Sequence, residues 1–301
     1  MSATVKIIEH SIAPNGKELV TFQVKYQRFI HAEAKTHRAM TIADQSVELL
    51  QEVGLMDCAD LSRNASSSRA IPVNKMIAAT LADPAFFSHV GKNQPGMQAR
   101  EEVSPEVKAQ FKKEWIELAE IVGGFVDRWS NGYGIHKQVA NRALEPWQHI
   151  SVIVTATELD NFFALRDHVD AQPEIRDLAI LMKAALASST PTLRTEDPGR
   201  ATSWHLPYVT AAERLEYHGQ PAYLAQLSAA RCARVSYLTH DGQAPSVEKD
   251  IALFMSLVGS EPLHASPVEH QAYPLLLSDT RCKNFVGWQQ YRQIVEQSFI
   301  K

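Results

Sequence analysis

The chain is poor in cysteine: Cys58, Cys232 and Cys282 are the only 3 in 301 residues, and none stands in a CxxC or Cys/His ligand spacing. That excludes a disulfide framework, leaves no structural zinc motif and makes a reducing cytoplasm the expected setting. A strong excess of charge of one sign is also missing. Lys+Arg 30 against Asp+Glu 34 give a net charge of -4, so there is no global basic field to hold a polynucleotide backbone. Long hydrophobic runs are absent too. The longest, Leu178 to Ala187, is interrupted by Lys183 and is too short to cross a bilayer. Met1 to His10 carries acidic and polar residues where a signal peptide needs an apolar centre. A soluble protein with no membrane contact is expected. There is no P-loop, GxGxxG, GxSxG or HExxH motif, no fixed-period repeat and no low-complexity tract.

What is present is an ordinary globular composition, 45% apolar and 21% charged, enough for one large core or two modest ones. Residues 3 to 26 read as a hairpin: Val5 and Ile7, then Val20, Phe22 and Val24, alternate with polar neighbours around Pro14-Asn15-Gly16-Lys17. Arg28 to about Arg38 suits a helix, and Ser46 to Glu52 a short one closed by Gly54. Ser62 to Ala70 reads as a polar loop feeding a helix after Pro72. Ser104-Pro105 predicts the cap and first turn of a long helix to about Asp127. His136 to Leu144 reads as helical. Ile150 to Ala156 fits a buried strand or a core helix equally well. Helical spacing recurs from Glu158 to Ala187, broken at Pro173, and Glu196 to Thr202 is a polar linker. Further helices are expected at Ala222 to Ala233, at Ser246 to Gly259 with Ser246 as cap, and from about Asn284 onward.

The chemistry concentrates in few places. Ser66-Ser67-Ser68-Arg69 before a helix offers hydroxyls, backbone N–H groups and a forked guanidinium to a phosphate, although such a stretch is also what a plain surface loop looks like. His37-Arg38, His264 and Glu269-His270 stand in or beside expected helix ends, where a histidine is as readily a packed residue as a catalyst. From the residues alone the reading is a soluble α/β or α+β protein with an anion site.

Together these segments resemble the flavin-dependent thymidylate synthases, and more closely their longer phage and bacterial relatives. Thr21 to Lys25 through Thr36-His37-Arg38 is similar to the family's strand and helix ending in Arg-His-Arg, and Ser62 to Arg69 to its Ser-x-Asn-x-x-Ser-x-Arg stretch. Asp160 to Arg166 and Ala171 to Arg176 resemble its Asn-Phe-x-x-Leu-Arg and Ala-Gln-x-Glu-Ile segments. The segment that opens an ordinary member stands here at the C-terminal end: Ala230 to Tyr237, Glu248 to Asp250, His264 to His270, and Phe285 to Arg292. The resemblance therefore implies a single α+β catalytic domain over residues 1–301, with a central, mostly antiparallel sheet and helices, circularly permuted or partly duplicated. Between Arg38 and Ser67 lie 28 residues, more than the family motif holds, which marks 39–61 as an insertion: a flap over the site or a surface decoration.

The resemblance also implies FAD as cofactor, NADPH and methylenetetrahydrofolate as co-substrates, a homotetramer with sites built from several subunits, and no cysteine nucleophile. The expected reaction is one-carbon transfer to C5 of a deoxypyrimidine monophosphate, dUMP to dTMP by default. Carried across by position, Ser67 and Arg166 are the catalytic expectations. Ser67, Ser68, Arg69, Arg142, Leu165, Arg166, Gln289 and Arg292 are expected to bind substrate, and His37, Arg38, Asn64, Asn161, Ser236, His264, Ser266 and Glu269 to bind cofactor. No metal is expected. Thr36, Ala65, Ala70, Asn141 and Asp170 depart from the family's usual residues. They keep open dCMP methylation, hydroxymethylation of dUMP or dCMP, and a paralogue that binds nucleotide without turnover. RNA binding through 62–69 is the weakest alternative.

Overall fold

The computed structural model describes residues 3–34, 61–65, 71–96, 98–234, 244–260 and 266–299. The hairpin forms as β1 (Thr4–Ile12) and β2 (Glu18–Gln27), antiparallel from Thr4↔Lys25 to Ile12↔Glu18 with a register irregularity between Ile7 and Glu9. Its turn needs a left-handed residue and has one, Gly16 at φ 85°. β3 (Leu61–Ala65), β4 (His149–Ala156) and β5 (Thr192–Leu193) complete a five-stranded sheet in the order β3-β4-β2-β1-β5, antiparallel except for the β1–β5 pair. The segment with two open readings, Ile150 to Ala156, is thus a strand. The loop expected over Ser62 to Ala70 is corrected in its first part: residues 61–65 are an edge strand on β4, because backbone pairing does not require the apolar alternation that the segment lacks.

Alternation sorts the sheet into two faces. Val20, Phe22, Val24 and Tyr26 with Ile150, Val152, Val154 and Ala156 pack against α3 (Asp160–Arg166) and α4 (Pro173–Ala187). α1 (Val73–Ala82) and α2 (Pro105–Asp127) come before them in the chain and form a neighbouring core with the 3-10 segment Asn141–Trp147. Pro173 begins α4 and does not interrupt it, since its missing N–H falls where no intrahelical partner exists. Full burial of a side chain such as Phe22 contributes about 1.5–3 kcal/mol.

The second face of the sheet is covered by the last third of the chain. The short α5 (Ala211–Glu216) is flanked by Val209 and Tyr217, which pack against a core that α6 (Pro221–Ala233) and α7 (Val247–Val258) build with Trp204, Leu206, Val268 and Tyr291. Two two-stranded ladders follow, β6 (Ala272–Pro274) with β9 (Trp288–Gln290) and β7 (Arg281–Cys282) with β8 (Phe285–Val286), and then α8 (Tyr291–Phe299). The last helix starts seven residues later than Asn284, because Phe285 to Gln290 is spent on these short strands. Ser104 and Ser246 cap α2 and α7 as expected. The helix expected from Arg28 begins as a 3-10 turn and is described only to residue 34; residues 39–60 of the expected insertion and the helix at 46–52 lie outside the described residues. Among the described residues no helix is long and apolar enough to cross a membrane.

Candidate active site

One end of the sheet gathers the ends of three strands. β2 ends in Lys25 to Gln27, β4 begins at His149, and β3 ends at Ala65 opposite Val152. Between these ends and α1 lies a cleft of about 180 Å³ whose wall includes Lys25, Arg28, Ile71, Thr80, Trp147 and Gln148. Ile71 directly follows the Ser66 to Ala70 stretch, and its carbonyl accepts from Asn141 Nδ2 at 2.9 Å, so the buried Asn141 ties that stretch's exit to the cleft. Gln148 Nε2 and Thr80 Oγ1 are buried and have no hydrogen-bond partner among the described residues. A buried amide N–H or hydroxyl left unpaired costs free energy, so the cleft is suited to a polar guest that pairs with both.

A second hollow shares Arg28 with this cleft and is lined also by His31, Arg142 and Glu145. Glu145 Oε1 receives Arg28 Nη2 at 2.9 Å and Arg142 Nη1 at 3.3 Å. Two guanidiniums meeting at one carboxylate oxygen leave positive charge for an incoming anion. Arg142 is one of the expected substrate residues; Lys25, Arg28, Gln148 and Thr80 are not, and the signal for the first three was polar residues at the ends of the two strands that fill the centre of the sheet, whereas Thr80 is buried on α1.

Ser266, Glu269, Gln289 and Arg292 come together on the sheet's second face. Ser266–Glu269 is a 3-10 turn packed against β3. Glu269 Oε1 accepts from Arg292 Nη1 at 2.5 Å, Glu296 Oε1 accepts from Arg292 Nε at 2.6 Å, and Gln289 donates to Gln293 at 2.6 Å. Burial alone lowers the basicity of Arg292, but hydrogen bonds and charge from Glu296 and Glu269 outweigh it and hold the guanidinium firmly charged.

Asn161, Leu165 and Arg166 sit elsewhere. They lie on α3, whose Phe162 belongs to the core on the first face, so within one chain the sheet separates them from Glu269 and Arg292. The backbone of Asn64 pairs with Ile153 in the β3–β4 ladder. Ser67, Ser68, Arg69, His37, Arg38, Ser236 and His264 lie outside the described residues.

The second face also carries a buried polar relay that sequence reading missed. Ser11 Oγ lies 2.9 Å from His205 Nδ1, His205 Nε2 2.8 Å from Thr21 Oγ1, Thr21 Oγ1 2.7 Å from Thr155 Oγ1, and Thr155 Oγ1 2.8 Å from His270 Nδ1. It crosses β1, β2 and β4, and all five residues are fully buried. Burial holds His270 down to about 3 and His205 well below the ordinary imidazole range, with the nearby Arg194 and Arg214 adding to the second shift. Both rings are neutral. Threonines in mid-strand, out of phase with the apolar residues, were the available signal. Cys232 and Cys282 are buried, and burial pushes the Cys232 thiol up, away from thiolate chemistry.

The family model of thymidylate synthase complementing protein matches residues 18–192. Among solved structures the chain is similar to a UMP/dUMP methylase, PolB of Streptomyces cacaoi. Bound with 5-Br UMP, that protein is 16% identical with a TM-score of 0.45, over 62% of this chain and 90% of that one. Bound with 5-Br dUMP, it is 17% identical with a TM-score of 0.46, over 62% and 91%. No match was found among curated proteins.

Proposed function

Because this chain belongs to the thymidylate synthase complementing protein family, we propose that it transfers a one-carbon unit from methylenetetrahydrofolate to C5 of a deoxypyrimidine monophosphate, dUMP to dTMP, using FAD and NADPH. Family membership is the observation that carries this reading. The matched residues include both the Ser67 to Arg69 stretch and the Asn161 to Arg166 segment.

The cleft supports it. Ser67, Ser68 and Arg69 precede its wall at Ile71, and the Arg28–Glu145–Arg142 group lies beside it, a setting for a dianionic phosphate. The apolar wall and the unpartnered groups of Gln148 and Thr80 suit a planar base with polar edges. In the described part of the expected cofactor set, Asn161 and Ser266 are exposed and Glu269 is fixed by Arg292, an amide, a hydroxyl and a carboxylate that fit the hydrogen-bonding edge of FAD. When bound, that group supplies the two-electron chemistry that turns the transferred methylene into a methyl. The protein's share is to hold phosphate and base, with Arg166 as a fixed cation toward a pyrimidine carbonyl. Arg166 and Glu269 serve one site when it is assembled from more than one copy, as in a homotetramer, since the sheet parts them within a chain.

Incubating the protein with FAD, NADPH, methylenetetrahydrofolate and a mixture of dUMP and dCMP, followed by mass spectrometry of the nucleotides, tests the proposal. Gain of one methyl by dUMP is the expected result. Modified dCMP or a hydroxymethyl product redirects the assignment to the alternative base or product. Unchanged nucleotides in the presence of bound flavin would sink it in favour of a non-catalytic paralogue.

A further inference from the structure

The β5 edge of the sheet, at the β1–β5 pair, carries a second charged cleft that the proposed reaction does not use. It is open, about 290 Å³, and Glu9, His10, Ser189, Thr190, Thr192 and Arg194 form much of its wall. Backbone pairing sets Arg194 in place: Ser11↔Thr192 and Ile12↔Leu193 form the parallel ladder, and Arg194 N–H donates to Ile12 O at 2.9 Å. The side chain is more than nine-tenths buried. Its Nε donates to Ser11 Oγ at 3.0 Å and its Nη2 to Glu9 Oε1 at 2.6 Å, while its Nη1 has no partner among the described residues.

The charges around it do not balance. Arg214 Nη2 donates to the same Glu9 oxygen at 2.5 Å, and Glu9 Oε2 is taken by the backbone N–H of Leu206 at 2.9 Å. Arg214 spends its Nη1 on the carbonyls of Ala201 and Trp204. His10, with one ring nitrogen 3.0 Å from Ser189 Oγ and the other 3.2 Å from Glu18 Oε2, adds no negative charge. Two nearly buried guanidiniums therefore share one carboxylate, and the surplus charge sits on Arg194, where burial and the neighbouring Arg214 both penalise it. Thr190 and Thr192 are exposed at the rim and bring hydroxyls from the β5 side.

We propose that this cleft is an oxyanion site of phosphate class, with Arg194 Nη1 as its charged donor and the Thr190 and Thr192 hydroxyls as its rim. A tetrahedral oxyanion has acceptors for a guanidinium and for hydroxyls approaching from other sides, whereas a carboxylate has only two oxygens in one plane. The site is independent of the reaction assigned to the cleft at the strand ends.

The test reads Arg194 itself, so that phosphate bound at the candidate active site does not confuse it. In the full-length protein the Arg194 Nε–Hε resonance, assigned through its own backbone, is followed during titration with inorganic phosphate, ribose 5-phosphate and acetate. Saturable movement with inorganic phosphate and little with acetate is expected; an equal response to ribose 5-phosphate extends the site to phosphomonoesters. Thr190→Glu, at an exposed position that leaves the fold intact, places a carboxylate at the rim and is expected to abolish the response. A stationary Arg194 signal, movement with acetate alone, or a Thr190→Glu protein that responds like the wild type each overturns the proposal.

Discussion

At the scale of single residues, the two buried histidines make stability depend on pH in a defined direction. His205 and His270 are held neutral in the folded chain, below the ordinary value of 6.5. The unfolded chain protonates them as pH falls through that value while the folded chain does not. Their contribution is therefore complete above about pH 6.5 and is lost progressively below it, toward the folded value of about 3 for His270, at up to about 1.4 kcal/mol per pH unit for each ring. Urea unfolding at pH 7, 6 and 5 is expected to show that decline, and a His270→Gln protein a shallower one; a flat profile would mean that the rings are protonated when folded. His270 was legible as a polar residue in the His264 to His270 segment. His205 was not, because nothing within its own neighbourhood, Ser203-Trp204-His205-Leu206, announces partners on β1 and β2 nearly 200 residues away.

Among elements, those with local start signals were read correctly and those fixed by distant pairing were not. Ser104-Pro105 and Ser246 announce α2 and α7 because a cap is a contact within one turn. β3 escaped notice because a polar edge strand draws its order from β4, some ninety residues later. The helices of the last third are held by a buried charge cluster that also left no local trace. Arg231 of α6 reaches Glu213 of α5 at 2.5 Å and Asp250 of α7 at 3.0 Å, and Arg234 also binds Asp250. Arg231→Met would leave both carboxylates without their shared cation in a dry setting, a loss of about 3–5 kcal/mol. Denaturant titration should show the midpoint falling sharply, whereas Arg234→Met, at a partly exposed position, is expected to cost much less.

For the whole molecule, the last third of the chain completes a structure begun by the first hairpin. Asn15 Nδ2 donates to Leu275 O at 2.7 Å and Gly287 O at 3.0 Å, and Trp288 Nε1 donates to Lys17 O at 3.2 Å. Gly287, at φ 75°, has no room for a Cβ, which would stand 2.8 Å from Lys17 Cγ. That this segment carries Glu269 and Arg292 as candidate site residues was legible in the sequence; that it would lay them on the face opposite Arg166 was not, since a motif has no face until strands pair. The separation yields a prediction for the assembled protein: Arg166→Ala and Glu269→Ala, each inactive alone, should regain part of the wild-type rate when co-expressed, because a mixed assembly contains some sites with both native residues. Absence of any recovery in co-purified mixed assemblies would return the site to a single chain.

The relay through the sheet has a further consequence, a sense of direction. Arginine has protons to give and no lone pair to offer, so Arg194 fills an acceptor position of Ser11 and leaves the serine proton for His205 Nδ1. His205 must then carry its hydrogen on Nε2 and pass it toward Thr21; Thr21 faces Thr155 with its proton, and Thr155 faces His270 Nδ1 with its own. With the donors set this way, every hydroxyl in the row points from β1 toward β4, and His270, five side chains from the guanidinium, takes its hydrogen on Nε2, which has no hydrogen-bond partner among the described residues.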